Sequence, residues 1–110
     1  MAEFYTRFIR ETMDAAGQVT QWSYQYEEDF NYGYDVIDPL GDPHRLAMLW
    51  RNHRGEEKRL TFSDLKTLSN QAANLLRSHG LQKGDVVMTA LRTHWSYWIV
   101  ALAAHKLGLL

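Results

Sequence analysis

Apolar positions recur with three different spacings along the chain, and each spacing implies a different element. Phe4, Tyr5, Phe8, Ile9 and Met13 fall roughly on one face of a helix over residues 3–15, with Gly17 placed to stop it. Residues 17–45 keep no period. Aromatic runs (Trp22 to Tyr26, Phe30 to Tyr34) are followed by the turn pairs Asp38-Pro39 and Gly41-Asp42-Pro43, which predicts an irregular covering segment. Leu46 to Trp50 reads as a short apolar strand. Lys58 to Phe62 alternates apolar and polar, and Asn52 to Glu57, with Gly55, forms a hairpin loop between them.

Leu65, Leu68, Ala72, Leu75 and Leu76 then recur at helical spacing. Thr61 and Asp64 supply the hydroxyl and carboxylate of a capping box, and Gly80 sits at a left-handed end. Val86 to Leu91 is nearly all apolar, as in a strand buried on both faces of a parallel sheet. Thr93 is placed to cap a last helix over 94–107, ended by Gly108. The predicted fold class is α/β in the order α-β-β-α-β-α, with one right-handed crossover from strand 58–62 to strand 86–91. No strand follows the last helix, so its apolar surface lacks the sheet it requires. Residues 1–45 read as a helix and covering segment, and 46–110 as the start of an interrupted α/β domain.

Composition narrows the chemistry. With 110 residues there is room for one domain, and 45% apolar with 23% charged residues is ordinary for a globular chain. Twelve Lys and Arg against thirteen Asp and Glu leave no electrostatic footprint for nucleic acid or an anionic membrane. The absence of cysteine excludes disulfides, thiolate metal sites and Cys nucleophiles. The apolar stretch 95–110 is broken by Ser96, His105 and Lys106, too short for a membrane span, and the first residues lack the basic and apolar regions of a secretory signal. The expected location is cytoplasmic.

Candidate chemistry is sparse. His44, His53, His79, His94 and His105 share no metal-ligand spacing, and two of them suit helix C-termini. Glu27-Glu28-Asp29 and Glu56-Glu57 read as solvated faces rather than as a catalytic pair with separated pKa values. Gly80 and Gly84 precede a strand, whereas a phosphate loop follows one. Arg92, at a strand's carboxyl end, is placed to meet an anion but lacks glycines and a partner motif. The aromatics Trp22, Tyr24, Tyr26, Phe30, Tyr32 and Tyr34 read as anchors of a covering segment in preference to a sugar-stacking strip.

Three stretches, taken in order, carry a resemblance. The run from Phe30 through Tyr32-Gly-Tyr-Asp35 to Asp38 is similar to the segment that introduces the acetyl-CoA and medium-chain acyl-CoA synthetases of the adenylate-forming superfamily. Gly55-Glu-Glu57, Leu60-Thr-Phe62, Asp64-Leu65, Leu68 to Asn74 and Gly80-x-x-x-Gly84-Asp-Val-Val-Met88 resemble the part that follows. Tyr97-Trp98, Ala101, Ala104 and His105-Lys-Leu-Gly108 match the next helix, so the resemblance covers about residues 28–108.

It implies an N-terminal segment of an enzyme that joins a carboxylic acid to ATP as an acyl-adenylate, releases pyrophosphate and transfers the acyl group to CoA, with Mg assisting. The family's phosphate loop and its lysine, the ribose-binding aspartate, the hinge and the C-terminal catalytic lysine have no counterpart here. No catalytic, cofactor-binding or metal residue is therefore assigned. The fragment is expected to be inactive and to bind no ATP, Mg or CoA. Its expected partner is the remainder of the synthetase large domain, with self-association through exposed apolar surface. Where the family continues with a small residue and a strand, Leu109-Leu110 closes this chain, as a truncation, an early stop or a proteolytic remnant would. The alternatives are an interaction module docking through residues 22–34 or 94–107, and a small carbohydrate-binding domain.

Overall fold

A computed structural model describes residues 5–110, and these fall in two compact units, Met1–Phe30 and Asn31–Leu110. In the first, β1 (Ile9–Met13) pairs antiparallel with β2 (Val19–Tyr24), with Ile9 opposite Tyr24 and Glu11 opposite Trp22. This replaces the helix expected over 3–15, whose first two residues lie outside the described residues. It also replaces the irregular chain expected over 19–24.

The reversal is set by Asp14. Its Oδ1 accepts from the backbone N–H of Ala16 and of Gln18, both at 2.9 Å, while its carbonyl accepts from Gly17 at φ +77°. That side-chain turn closes a hairpin where helical spacing alone predicted continuation. β-branched and aromatic residues of β2 then favour the extended form. Trp22 and Tyr24 meet edge to face at 4.9 Å, and all six residues of β2 are exposed.

The second unit opens with a π-helical turn, Tyr32–Ile37, and a single 3₁₀ turn, Asp38–Leu40. Asn31 caps the first: its Oδ1 accepts from Gly33 N–H at 3.0 Å and Tyr34 N–H at 3.3 Å, and its own N–H donates to Asp35 Oδ2 at 2.6 Å. β3 (Leu46–Arg51) and β4 (Glu57–Thr61) form the expected hairpin, Trp50 opposite Lys58. Asn52 and Gly55, the latter at φ +81°, close its loop.

Helix α1 (Phe62–Ser78) starts on the expected capping box. Thr61 Oγ1 accepts from Asp64 N–H at 3.1 Å, and Asp64 Oδ2 accepts from Thr61 N–H at 2.8 Å. Helix α2 (Ser96–Leu107) ends on Gly108 in the left-handed conformation. It starts two residues later than expected, with Trp95 rather than Thr93 at the N-cap and no side-chain cap bond, and the Thr93 carbonyl accepts from Trp50 Nε1 at 2.6 Å.

The segment expected as a buried strand, residues 86–91, belongs to no ladder among the described residues, and Val86 and Met88 are 77% and 90% exposed. The sheets are two separate antiparallel hairpins, so the expected crossover between parallel strands is not formed. Among the described residues the strands and α-helices follow the order β-β-β-β-α-α, a mixed α/β arrangement as expected. A nearly all-apolar segment needs a neighbouring strand to satisfy its backbone, and within 86–91 Val87 N–H alone finds a backbone partner among the described residues, the Leu110 carbonyl at 2.8 Å, so composition alone did not make it a sheet member.

The core of the second unit is Ile37, Leu60, Leu65, Ile99 and Leu102, flanked by Phe62, Leu68 and Trp95. Leu65, Ser69 and Ala73 mark one buried stripe of α1, and Ile99, Leu102, Ala103 and Lys106 mark that of α2. Ser69 and Ala103 are fully buried. Small residues on both stripes allow close approach of two helices that pack extensively on each other.

Candidate functional site

The most constrained chemistry in the second unit surrounds Lys106. Helical spacing carries its side chain inward from the last turn of α2, where it is 0% exposed. Nζ donates to Asp38 Oδ1 at 2.7 Å and to Asn70 Oδ1 at 2.7 Å, and lies 5.3 Å from the Tyr34 ring centroid. One ammonium thus ties together the 3₁₀ turn, α1, α2 and the π-helical turn. Gly33 makes room for it, since a Cβ there would lie 2.7 Å from Lys106 Cγ. Asn31 Nδ2 adds a bond to the His105 carbonyl at 2.7 Å. A buried ammonium needs paired and hydrogen-bonded partners, and here it has a carboxylate, an amide and a ring.

With its carboxylate partner 2.7 Å away and no exposed surface, this lysine is built to hold segments together. A nucleophile or phosphate-binding lysine must reach a ligand. Of its three partners, Tyr34 reads from sequence as an aromatic anchor and Asp38 as a turn residue, and Asn70 has no reading of its own; Asp38 and Asn70 lie 68 and 36 residues from Lys106. The available signal was a charged residue, Lys106, on the inward stripe of an apolar helix.

Two grooves border α2. The larger, 490 Å³, lies among Tyr32, Ile37, Met48, Leu65, Trp98 and His105. The smaller, 220 Å³, is lined by Val87, Thr89, Tyr97, Val100, Leu109 and Leu110. Neither is lined by a lysine, an arginine or a carboxylate, so neither fits a triphosphate or its magnesium. Among the described residues no three His, Asp or Glu side chains gather to hold a metal ion.

The sequence-derived candidates are dispersed. His94 meets Ser96 Oγ at 2.7 Å through Nδ1 and packs edge to face on Trp50 at 5.2 Å. His105 packs on Tyr32 at 5.9 Å. Arg92 is exposed, and no glycine loop follows it. Gly80 and Gly84, at φ +87° and +92°, serve a helix end and a turn. Glu27, Glu28 and Asp29 are all exposed, as are Glu56 and Glu57. The six aromatics divide between the two units, with Trp22, Tyr24, Tyr26 and Phe30 in the first and Tyr32 and Tyr34 in the second. Among the described residues the carboxyl displaced from its ordinary range is Asp64, lowered by the N–H and hydroxyl of Thr61, which is a helix-cap effect.

The helix pair, its capping box, and Lys106 with Asn70 lie within a stretch, residues 39–110, that matches the model of the family described as AMP-binding enzyme, while the clamp's Gly33, Tyr34 and Asp38 precede it. The chain belongs to that family. Among curated proteins it is 39% identical over 83 residues to 4-hydroxybutyrate–CoA ligase 1 of Metallosphaera sedula, covering 72% of this chain and 15% of the relative. It is 35% identical over 98 residues to the mitochondrial acyl-coenzyme A synthetase ACSM2 of Rattus norvegicus, 81% of this chain and 17% of the relative. Human ACSM3, also named a mitochondrial acyl-coenzyme A synthetase, is 35% identical over 89 residues, 74% of this chain and 15% of the relative. The chain therefore spans about a sixth of the length of the relatives it matches. The resemblance noted in the sequence to acyl-CoA synthetases of the adenylate-forming type holds.

Proposed function

We propose that this chain is the early scaffold of an ATP-dependent acyl-CoA synthetase, which joins a carboxylic acid to CoA through an acyl-adenylate with loss of pyrophosphate. The 110 residues alone do not catalyse that reaction. The observation that carries the reading is the family match over residues 39–110, together with relatives named as CoA ligases and acyl-CoA synthetases. Its second support is chemical. The buried cation, Lys106, is held by Asp38 and Asn70, and the grooves beside α2 lack groups for phosphate or magnesium.

ATP, Mg and CoA belong to the whole enzyme on this reading, and the segment's partner is the rest of the synthetase large domain. The compartment assigned with it is the cytoplasm. No helix among the described residues is long and apolar enough to cross a membrane, but several relatives are named as mitochondrial, so imaging a full-length tagged protein decides the location.

The test is carboxylate-dependent exchange of labelled pyrophosphate into ATP by the purified chain, with acetate, butyrate and octanoate as acids. No exchange above background is expected. Exchange that depends on acid and on magnesium would overturn the assignment of the chain as scaffold.

A further inference from the structure

The register of the first hairpin sorts its side chains onto two unlike faces. Residues directly opposite in an antiparallel pair share a face, and so do alternate residues of one strand. Ile9 opposite Tyr24 and Glu11 opposite Trp22, with Met13 two residues on, therefore lie on one side. Arg10, Thr12, Gln21 and Ser23 lie on the other. The first side is aromatic and open to solvent, with Trp22 57% and Tyr24 64% exposed and their rings edge to face at 4.9 Å. A single charge interrupts it. The Glu11 carboxylate accepts from the Tyr5 hydroxyl at 3.2 Å, and among the described residues no cation pairs with it.

We infer that this face binds an arginine-bearing basic peptide segment, with a guanidinium stacked on Trp22 and its N–H groups donating to the Glu11 carboxylate. A planar guanidinium uses both features at once, since it stacks on aromatic faces and meets a carboxylate with two parallel donors. The charge of the stretch favours the same sign of partner. Residues 1–30 carry Glu3, Glu11, Asp14, Glu27, Glu28 and Asp29 against Arg7 and Arg10, although the whole chain is close to neutral. Neither of those arginines fills the place. Arg7 lies over the Phe8 ring at 5.4 Å, and Arg10 is on the opposite face.

Other occupants use less of the face. A second copy laid on it about a two-fold axis would bring two acidic units together. An anionic lipid surface would meet the same carboxylates. A sugar calls for amides beside the rings, and Gln21 is on the far side of the hairpin. This binding role stands apart from the synthetase assignment.

The experiment titrates the peptide acetyl-Arg-Val-Arg-amide into the isotope-labelled full chain and follows indole and amide resonances by NMR. A saturable shift of the Trp22 indole and of the Glu11 and Tyr24 amides is expected, half complete at about 1 mM or below. The Trp50 indole, bonded to the Thr93 carbonyl, serves as internal reference and is expected to stay in place. The citrulline counterpart keeps the shape of arginine without its charge, and is expected to bind about fivefold more weakly or less. Glu11→Gln is expected to weaken the arginine peptide by a similar factor. The citrulline comparison uses the unaltered chain, so it decides even where the substitution disturbs the hairpin. Equal binding of the citrulline peptide overturns the inference, as do shifts that follow protein concentration alone. So does no response to the arginine peptide, whether or not maltose or phosphatidylglycerol vesicles then shift Trp22.

Discussion

Replacing Lys106 with methionine isolates the clamp, because methionine preserves most of the aliphatic stem and removes only the ammonium. The change leaves the Asp38 carboxylate, with only 11% of its side chain exposed, facing Asn70 Oδ1 without the shared donor. Stranding one partner of a buried ion pair costs about 3–5 kcal/mol. Loss of the ammonium over the Tyr34 ring adds about 0.5–2 kcal/mol. At roughly 0.05–0.15 kcal/mol per residue, an 80-residue unit has about 4–12 kcal/mol in total, so this single change removes a third of it or more.

Urea unfolding followed by tryptophan fluorescence measures the loss. With a slope near 1–2 kcal/mol per molar, the midpoint is expected to fall by about 2 M or more. A companion variant, Asp38→Asn with Lys106→Met, removes the stranded charge and is expected to recover part of the loss, so the two changes are non-additive. A midpoint shift below about 0.5 M for Lys106→Met, or strict additivity of the pair, would refute the reading of Lys106 as a structural tie.

Further outcomes follow from individual contacts. Gly33→Ala places a methyl 2.7 Å from Lys106 Cγ and is expected to destabilise the wild-type chain by about 1–3 kcal/mol but the Lys106→Ala background by much less, read from the same urea midpoints. Thr61→Ala removes the α1 cap and is expected to cost about 0.5–2 kcal/mol in thermal unfolding. Asp64 has its pKa lowered by Thr61, so its contribution is present above the ordinary carboxyl range and is lost as pH falls through the lowered folded value. Thr61→Ala is therefore expected to flatten the fall in melting temperature below about pH 4. Gly108→Ala forces a side chain into the left-handed region at φ +68° and is expected to cost about 1–2 kcal/mol by calorimetry. Met88→Lys, at a position 90% exposed, is expected to change stability by less than about 0.5 kcal/mol, read from the same urea midpoints.

What the sequence made legible follows how local each signal is. Helix α1 could be read because its cap, its apolar stripe and its terminal glycine lie within twenty residues of one another. The β3–β4 hairpin could be read because Asn52 and Gly55 mark its loop. The first hairpin was mistaken for a helix because five apolar residues near a glycine suit both, and the deciding contact is Asp14 bonding to Ala16 and Gln18. The π-helical turn depends on reciprocal bonds between Asn31 and Asp35 that no hydrophobic period encodes.

Residues 86–91 have the composition of a buried strand, but strand pairing is a property of two segments, and the described residues supply one rung of the second. The clamp was out of reach for the opposite reason. Its partners are far apart in sequence, and a lysine in the last turn of a helix already has an ordinary explanation in the helix dipole. The family resemblance, by contrast, was legible from the order of short motifs, and the match over residues 39–110 bears it out.

The central claim is that these residues are synthetase scaffold rather than an independent module, and grafting tests it most directly. Residues 39–110 of this chain would replace the matching stretch of the rat synthetase to which it is 35% identical, and carboxylate-dependent pyrophosphate exchange would be measured on the purified chimera. A folded chimera that retains exchange with an unchanged requirement for magnesium is expected, while the same chimera carrying Lys106→Met loses stability before it loses chemistry. A chimera that folds, as judged by circular dichroism and cooperative unfolding, but shows no exchange would contradict it.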